Sequence, residues 1–467
     1  MNATRTASGY AESEAIQPAQ LREAELPEGW RWEKLGDVCK TTSGGTPSRT
    51  VAKYFEGNIP WVKSGELPDG VVSEIEEHIT EEAIRNSSAK LFPAGTLLIA
   101  LYGATVGKLG VLSRNATTNQ AVCGIFPPDS LDRKYLFWYL RLVRSDLIAQ
   151  AIGGAQPNIS QGILRNLLLP IAPLEQQKSI VAEIEKQFSR LDEAVANLKR
   201  VKANLKRYKA SVLKAAVEGK LTEDWRKQHP NVEPASKLLE RILAERRRKW
   251  VGRKEYKKPV APDTTDLSKM PKGWVWATVE QLSTVVRGAS PRPAGDPRYF
   301  GGSIPWITVG PITADGKPYL TAVPETVTEA GKERSRYIEP DTLLLTNSGA
   351  TLGVPKITLI GGCINDGVAA LLEVGDPLKL YLLYFLRTRT AQLRSVNQGA
   401  AQPNLNTSII KAIDVPLPPH DEQEQIIAEV ERRLSVIDEL EATVESNLTR
   451  ADRLRQSILG QAFSGKL

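Results

Sequence analysis

Few stretches of this chain carry residues whose types and spacing suggest chemistry, and each fails on inspection. "GATVGKL", Gly103–Leu109, has the glycines and lysine of a phosphate loop. It is one residue short of the spacing GxxxxGKS or GxxxxGKT, and Leu109 replaces the hydroxyl that would hold magnesium. A glycine-permitted turn between strands explains it. "PDSLDRK", Pro128–Lys134, offers carboxylates and a lysine of the kind found in nuclease sites, but its acidic residues are crowded. "FPPD" and "LPPH" depart from the Asn/Asp-Pro-Pro-aromatic loop of amino-methyltransferases. There is no GxGxxG dinucleotide fingerprint and no His/Cys/Asp set around a nucleophile. Cys39, Cys123 and Cys363 are far apart and the three histidines are scattered, so no metal-ligand spacing arises. The residues point to a binding scaffold, with no catalytic residue and no metal or cofactor of its own.

What the chain does carry is repetition. "GGAQPNIS" at Gly153–Ser160 returns as "GAAQPNLN" at Gly399–Asn406, an offset of 399 − 153 = 246. "GAT" at Gly103 returns at Gly349, and "GKL" at Gly219 returns at Gly465, both at 246. Upstream, "PEGWRW" at Pro27 matches "PKGWVW" at Pro271, and "IPW" at Ile59 matches "IPW" at Ile304, at 244 and 245. One-residue indels of this kind fall in surface loops. A module of roughly 200 residues, large enough for its own core, is used twice.

Composition sets bounds on the partners. Hydrophobic residues make up 41% of 467, and no apolar run has the length of a membrane span. Residues 1–26 are polar and read as a disordered leader without the apolar stretch of a signal peptide. A reduced, cytoplasmic protein is expected. Net charge is +7, which suits a polyanion partner. Residues 222–270 hold 13 Lys/Arg against 8 Asp/Glu, including "ERRRKWVGRKEYKK". They read as a basic linker: a solvated helix, or a strap near nucleic acid or a partner subunit.

The elements that must position any binding residues differ along each copy. Residues 27–172 and 271–418 are rich in Gly, Pro and β-branched residues, with short apolar runs such as "GTLLIAL" and "DTLLLT" that predict strands. "DRKYLFWYLRLVRSDLIAQ" and "LKLYLLYFLRTRTAQLRSV" predict one helix in each. Residues 173–221 and 419–467 predict long helices. Ile184, Phe188, Leu191, Val195, Leu198, Leu205 and Val212 form a heptad seam, and Val430, Leu434, Ile437, Val444, Leu448, Leu454 and Ile458 form its copy. A helix of about 44 residues is roughly 66 Å long and needs another long helix to cover its seam. Leu174–Leu221 has 11 basic and 6 acidic residues, and His420–Leu467 has 6 and 10, so the two helices carry opposite net charge and suit each other. The expected fold class is α+β: two strand-rich mixed α/β domains related by an internal repeat, separated by two long helices that form an antiparallel coiled coil.

"PEGWRWEKLGDV", "GGTPSR", "IPWV", "AQPNIS", "PIAPLEQQKSIVAEIE" and "LKAAVEGKLTEDWRKQHP", with the second-copy forms "PKGWVW", "IPWI", "AQPNLN" and "PLPPHDEQEQIIAEVE", resemble the specificity subunit of Type I restriction–modification systems. The duplicated order of these motifs is the specific feature. The departure is at "PHDEQ", where His420 and Asp421 stand in place of the usual residues at the helix start. The resemblance implies two target recognition domains, each reading one half of a bipartite, asymmetric site on double-stranded DNA. It implies spacer helices that fix the gap and dock two methyltransferase (modification) subunits, with restriction/translocase subunits joining them. S-adenosylmethionine, ATP and Mg are then expected on the partner subunits. A protein-bridging scaffold without DNA contact and a stand-alone DNA-modifying enzyme are the alternatives.

Base edges are best reached by loops bearing Arg, Lys, amides and hydroxyls. Such loops occur at matched places. "TTSGGTPSRTVAK" offers Thr46, Ser48, Arg49 and Lys53, against Arg287, Ser290, Arg292 and Arg298 in "RGASPRPAGDPR". Lys63 and Ser64 stand against Thr308. Tyr102, Thr105 and Lys108 stand against Asn347, Ser348 and Thr351. Gln156, Asn158, Gln402 and Asn404 do not differ between the copies, so a structural tie between each domain and the root of its helix is expected of them, with a shared phosphate contact as the alternative.

Overall fold

The computed structural model describes residues 15–22, 25–151, 158–251, 255–395 and 404–467. The chain forms two compact units, residues 1–199 with 445–467, and residues 200–444. The first unit therefore takes its final segment from the far end of the sequence.

In the first unit a five-stranded sheet runs in the order Lys40–Ser43, Val122–Phe126, Leu97–Ala100, Leu109–Leu112, Gly70–Val72. Neighbours are antiparallel except the last pair. Leu97–Ala100 lies in the middle with every residue buried, as its unbroken apolar run requires. A four-stranded sheet, His78–Ile79, Ile59–Val62, Ala116–Thr118, Leu91–Phe92, lies beside it in the same unit. A two-stranded ribbon, Arg31–Lys34 with Leu168–Ile171, leads into the long helix Leu174–Val217.

The second unit repeats this plan strand for strand. Its sheets run Thr284–Arg287, Val368–Leu372, Thr342–Thr346, Pro355–Thr358, Tyr319–Leu320, and Thr326–Val327, Phe300–Ile307, Gly362–Ile364, Arg336–Ile338. The ribbon Val275–Thr278 with Asp414–Leu417 leads into the second long helix, His420–Phe463. A buried tyrosine locks each ribbon: the Tyr135 hydroxyl donates to the Pro170 carbonyl at 2.9 Å, and Tyr381 donates to Pro416. The helix expected after the sheet is one element in the second unit, Leu378–Ser395, but two in the first, Arg133–Leu142 and Arg144–Ala149.

Each unit contains a paired stretch of the two long helices. In the second unit Val212, Leu213 and Ala216 share a core with Ile426, Ile427, Val430, Leu434 and Ile437. Lys209 pairs with Asp438 at 2.6 Å, whereas Thr222, just past the first helix, meets Glu422 near the start of the second, so the helices run antiparallel. In the first unit Ile180, Ile184 and Phe188 pack with Ile458, Leu459, Ala462 and Phe463, and Asp192 pairs with Arg455. The seam on the second helix differs from expectation at one position. Leu454 is 48% exposed, while Ala451 is buried and Arg455 lies 5.4 Å over the Phe188 ring. A seven-residue repeat from Val444 falls on 451 and 458, which leaves Leu454 off the stripe.

Residues 222–248 are part of the second unit. They form the helices Glu223–Gln228 and Ala235–Arg248, and Leu238, Leu239 and Ile242 pack against the unit's core.

Candidate nucleic-acid interface

In the first unit the loop after strand Lys40–Ser43 is pinned by its backbone. Gly44 and Gly45 donate to the carbonyls of Val122 and Thr118 at 3.0 and 2.9 Å. A Cβ on Gly44 would meet the Thr118 carbonyl oxygen at 2.2 Å, so the close approach requires glycine. The Thr46 hydroxyl then reaches the amide oxygen of Gln120. Arg49 lies across the faces of Phe55 and Trp61, 4.2 and 5.0 Å from the ring centroids, and pairs with Glu77 at 2.7 Å. Lys63 reaches both Glu76 at 2.9 Å and Glu77 at 3.2 Å. The hydrogen bond from Arg49 holds the Glu77 carboxyl below the ordinary carboxylate range, with Lys63 adding to it against partial burial. Lys53 pairs with Glu82 at 2.9 Å, and Ser48 with Thr50 at 2.8 Å. Ser64 is half-buried and opens a short turn. The structure thus gathers Arg49 and Lys63 about one carboxylate and sets Lys53 apart on Glu82.

The second unit uses the same loop and the same backbone bonds. Gly288 and Ala289 donate to the carbonyls of Val368 and Ile364 at 2.9 and 3.1 Å. Ser290 takes the place of Thr46 and donates to Asp366 at 2.5 Å, where the first unit has Gln120. Asp366 gathers the loop: its carbonyl accepts from Arg287 at 2.7 Å and its carboxylate lies 3.7 Å from exposed Arg292. Arg298 folds back on Asp296 at 2.6 Å instead. Thr308 precedes the helix Val309–Thr313 and occupies the place of Lys63.

The turn Gly103–Gly107 is the glycine turn expected from the sequence. Gly103 and Gly107 have φ of +88° and +77°, and Gly349 and Gly353 repeat this at +78° and +79°. Lys108 and Thr351 are exposed; Tyr102, Thr105 and Ser348 are half-buried. Asn158 forms an isolated bridge with Tyr102, and Asn404 forms the equivalent one with Ser348. Each bridge is followed by a 2.7 Å backbone bond, from Ile159 to Leu101 and from Leu405 to Asn347. Gln156 and Gln402 lie outside the described residues. Asn347 departs from the surface position expected of it. It is fully buried, and neither its amide oxygen nor its nitrogen has a hydrogen-bond partner among the described residues. It directly follows the buried strand Thr342–Thr346, and its side chain is buried in the fold.

The acids that organise these loops, Glu77 and Asp366, are missed by sequence reasoning, because acceptors are not the residues expected to face a polyanion. The repeated "IPW" tryptophans, Trp61 and Trp306, are the available signal that a common aromatic floor lies under both loops. Among the described residues no group of three or more His, Cys, Asp and Glu is placed to hold a metal. Burial pushes the thiols of Cys39 and Cys123 up to about 12 and about 11, which keeps them protonated. No helix among the described residues is long and apolar enough to cross a membrane.

Residues 27–207 and 271–450 both match the Type I restriction modification DNA specificity domain. The chain belongs to that family. It is 30% identical over 170 residues to the EcoR124I/EcoR124II specificity subunit of Escherichia coli, a match spanning 35% of this chain and 42% of the relative. The MjaVIII specificity subunit of Methanocaldococcus jannaschii is 23% identical over 480 residues, covering 95% of this chain and 94% of the relative. A chain from a structure of type I R-M system assembly has the same fold, with a TM-score of 0.65 at 21% identity over 95% of this chain and 100% of that one. Each of the two matched stretches carries one set of the loops described above.

Proposed function

We propose that this chain is the non-catalytic address-bearing subunit of a Type I restriction–modification complex, acting in the cytoplasm on double-stranded DNA. Each strand-rich domain reads one half of a bipartite, asymmetric site. The long helices fix the gap between the half-sites and dock two methyltransferase subunits, to which restriction/translocase subunits add. S-adenosylmethionine, ATP and Mg reside on those partners.

One observation carries this reading. The two domains share strand order, glycine turns and loop anchors, yet differ at the tips of the loops. Thr46 and Gln120 become Ser290 and Asp366, and Lys63 becomes Thr308. A common frame with different hydrogen-bonding groups is what two unlike half-sites need. Candidate contacts are Thr46, Ser48, Arg49, Lys53, Lys63, Ser64, Tyr102, Thr105 and Lys108 in one domain. In the other they are Arg287, Ser290, Arg292, Arg298, Thr308, Ser348 and Thr351.

The test is selection of bound sequences from randomised duplexes, with affinity followed against salt. The expected result is a two-part motif with a fixed gap and a steep fall of affinity with ionic strength. Binding without sequence preference, or no binding, favours the protein-bridging scaffold. Methyl transfer by the purified chain alone favours the stand-alone enzyme.

A further inference from the structure

The same aromatic floor is closed in one domain and open in the other. In the first unit Phe55 and Trp61 pack edge to face with centroids 5.7 Å apart, and Phe300 and Trp306 do so at 6.0 Å in the second. Over the first pair lies Arg49, 4.2 Å from the Phe55 centroid, and Arg49 and Lys63 together neutralise Glu77. The carbonyl of Glu77 accepts from the Trp61 amide at 2.8 Å, and that of Glu325 accepts from Trp306 at 2.8 Å. Glu325 is therefore the counterpart of Glu77.

Its two cations are missing. Lys63 is replaced by Thr308, and the loop position of Arg49 falls on the Pro293–Ala294 stretch. Among the described residues no cation lies over Phe300 or Trp306, and Glu325 has no ion-pair partner. In place of the Arg49 side chain there is a cavity of about 540 Å³, lined by Ala294, Gly295, Phe300, Trp306, Glu325 and Arg292. Arg292 leans to Asp366 at 3.7 Å rather than forming an ion pair with Glu325.

An exposed carboxylate without a cation repels a phosphate backbone, so at a DNA face it is tolerated where it accepts from a base. Among major-groove edges the donor matched to a carboxylate is the N4 amino group of cytosine. Resting on the function proposed above, we infer that Glu325 is a specificity-determining residue that accepts a hydrogen bond from a cytosine N4 amino group in the half-site read by the second domain. The open space beside Phe300 and Trp306 admits the base edge. At the matching place in the first domain Arg49 and Lys63 occupy Glu77.

The test is selection from randomised duplexes by the full-length chain, wild type against three variants. Glu325→Ala should lower the preference for C·G at one position of one half-site by about tenfold and leave the other half unchanged. It should also raise affinity for random DNA, which a merely structural role would not do. Glu325→Gln should shift the same position toward A·T, since glutamine pairs bidentately with adenine. Thr308→Lys, which rebuilds the cation of the first unit, should lose the same C·G preference. A wild-type protein without a two-part motif would defeat the underlying function. A two-part motif left unchanged at every base by Glu325→Ala, or changed in both halves, would overturn this inference alone.

Discussion

The roots of the two long helices are built alike and held differently. In the first unit the Trp30 indole donates to the neutral amide of exposed Gln176 at 2.8 Å. In the second, Trp274 donates to Glu422, whose side chain is 1% exposed, at 2.9 Å. A buried carboxylate without a partner is strongly unfavourable, so it needs a cation and further donors. Arg226 supplies the charge at 2.7 Å and the Thr222 hydroxyl a further bond at 2.6 Å. Both come from the segment after the first helix. The acid that replaces the amide thus ties the start of that segment to the helix root of the second unit. The comparison teaches that a duplicated frame can keep its geometry while its parts acquire different obligations.

The largest expected effect tests that contrast. Glu422→Ala leaves Arg226 without its counter-charge and removes the acceptor of the Trp274 and Thr222 donors, and should destabilise the second unit by about 3–5 kcal/mol. Gln176→Ala should cost the first unit only about 0.5–1.5 kcal/mol. Urea unfolding followed by tryptophan fluorescence and by amide exchange in each unit gives both values, and equal losses would break the contrast.

A medium effect of opposite sign is expected at Asn347. Its counterpart is Leu101: Leu405 donates to Asn347 as Ile159 donates to Leu101. Leucine satisfies its buried site where the asparagine amide does not. Asn347→Leu should raise the stability of the second unit by about 1–2 kcal/mol, read as a higher Tm. A fall would mean that the pocket has no room for the larger side chain, and that the two sites are less alike than their backbones.

The smallest effect concerns acid. Arg49 holds Glu77 below the ordinary carboxylate range in the folded state. A depressed carboxylate contributes stability that is present above its unfolded pKa and is lost as pH falls through the folded one. Glu77→Gln should therefore lower Tm slightly at neutral pH and show a shallower loss on acidification below about pH 4.5. Parallel curves for wild type and variant would show that the Arg49 pair is too exposed to matter.

The frame was legible in the sequence because repeats, glycine turns and heptads are local signals. The offset of 246 anticipated the matched bridges at Asn158 and Asn404. The seam was legible except at Leu454, where a hydrophobic residue next to the stripe was counted onto it. The loop chemistry was less legible. Arg49 meets Glu77, and Ser290 meets Asp366, across chain separations that no spacing rule spans. Asn347 sits in "TNSG", which reads as a surface turn, and only the strand pairing shows that it is inside. Glu325 was invisible for a different reason: its meaning lies in the absence of the two cations that its counterpart has.

The first unit closes on residues from the far end of the chain. Tyr135 and Tyr139 pack against Phe463, with ring centroids at 4.8 and 5.1 Å. On a ribosome, the stretch from Lys199 to Phe463 is 463 − 199 = 264 residues. At about 5–20 residues per second this takes on the order of 13–53 s. Throughout that interval the strands of the first domain have been synthesised but the helix that covers these tyrosines has not. The domain made first is the one finished last, and translation slowed within residues 200–444 would lengthen the life of its uncovered apolar face.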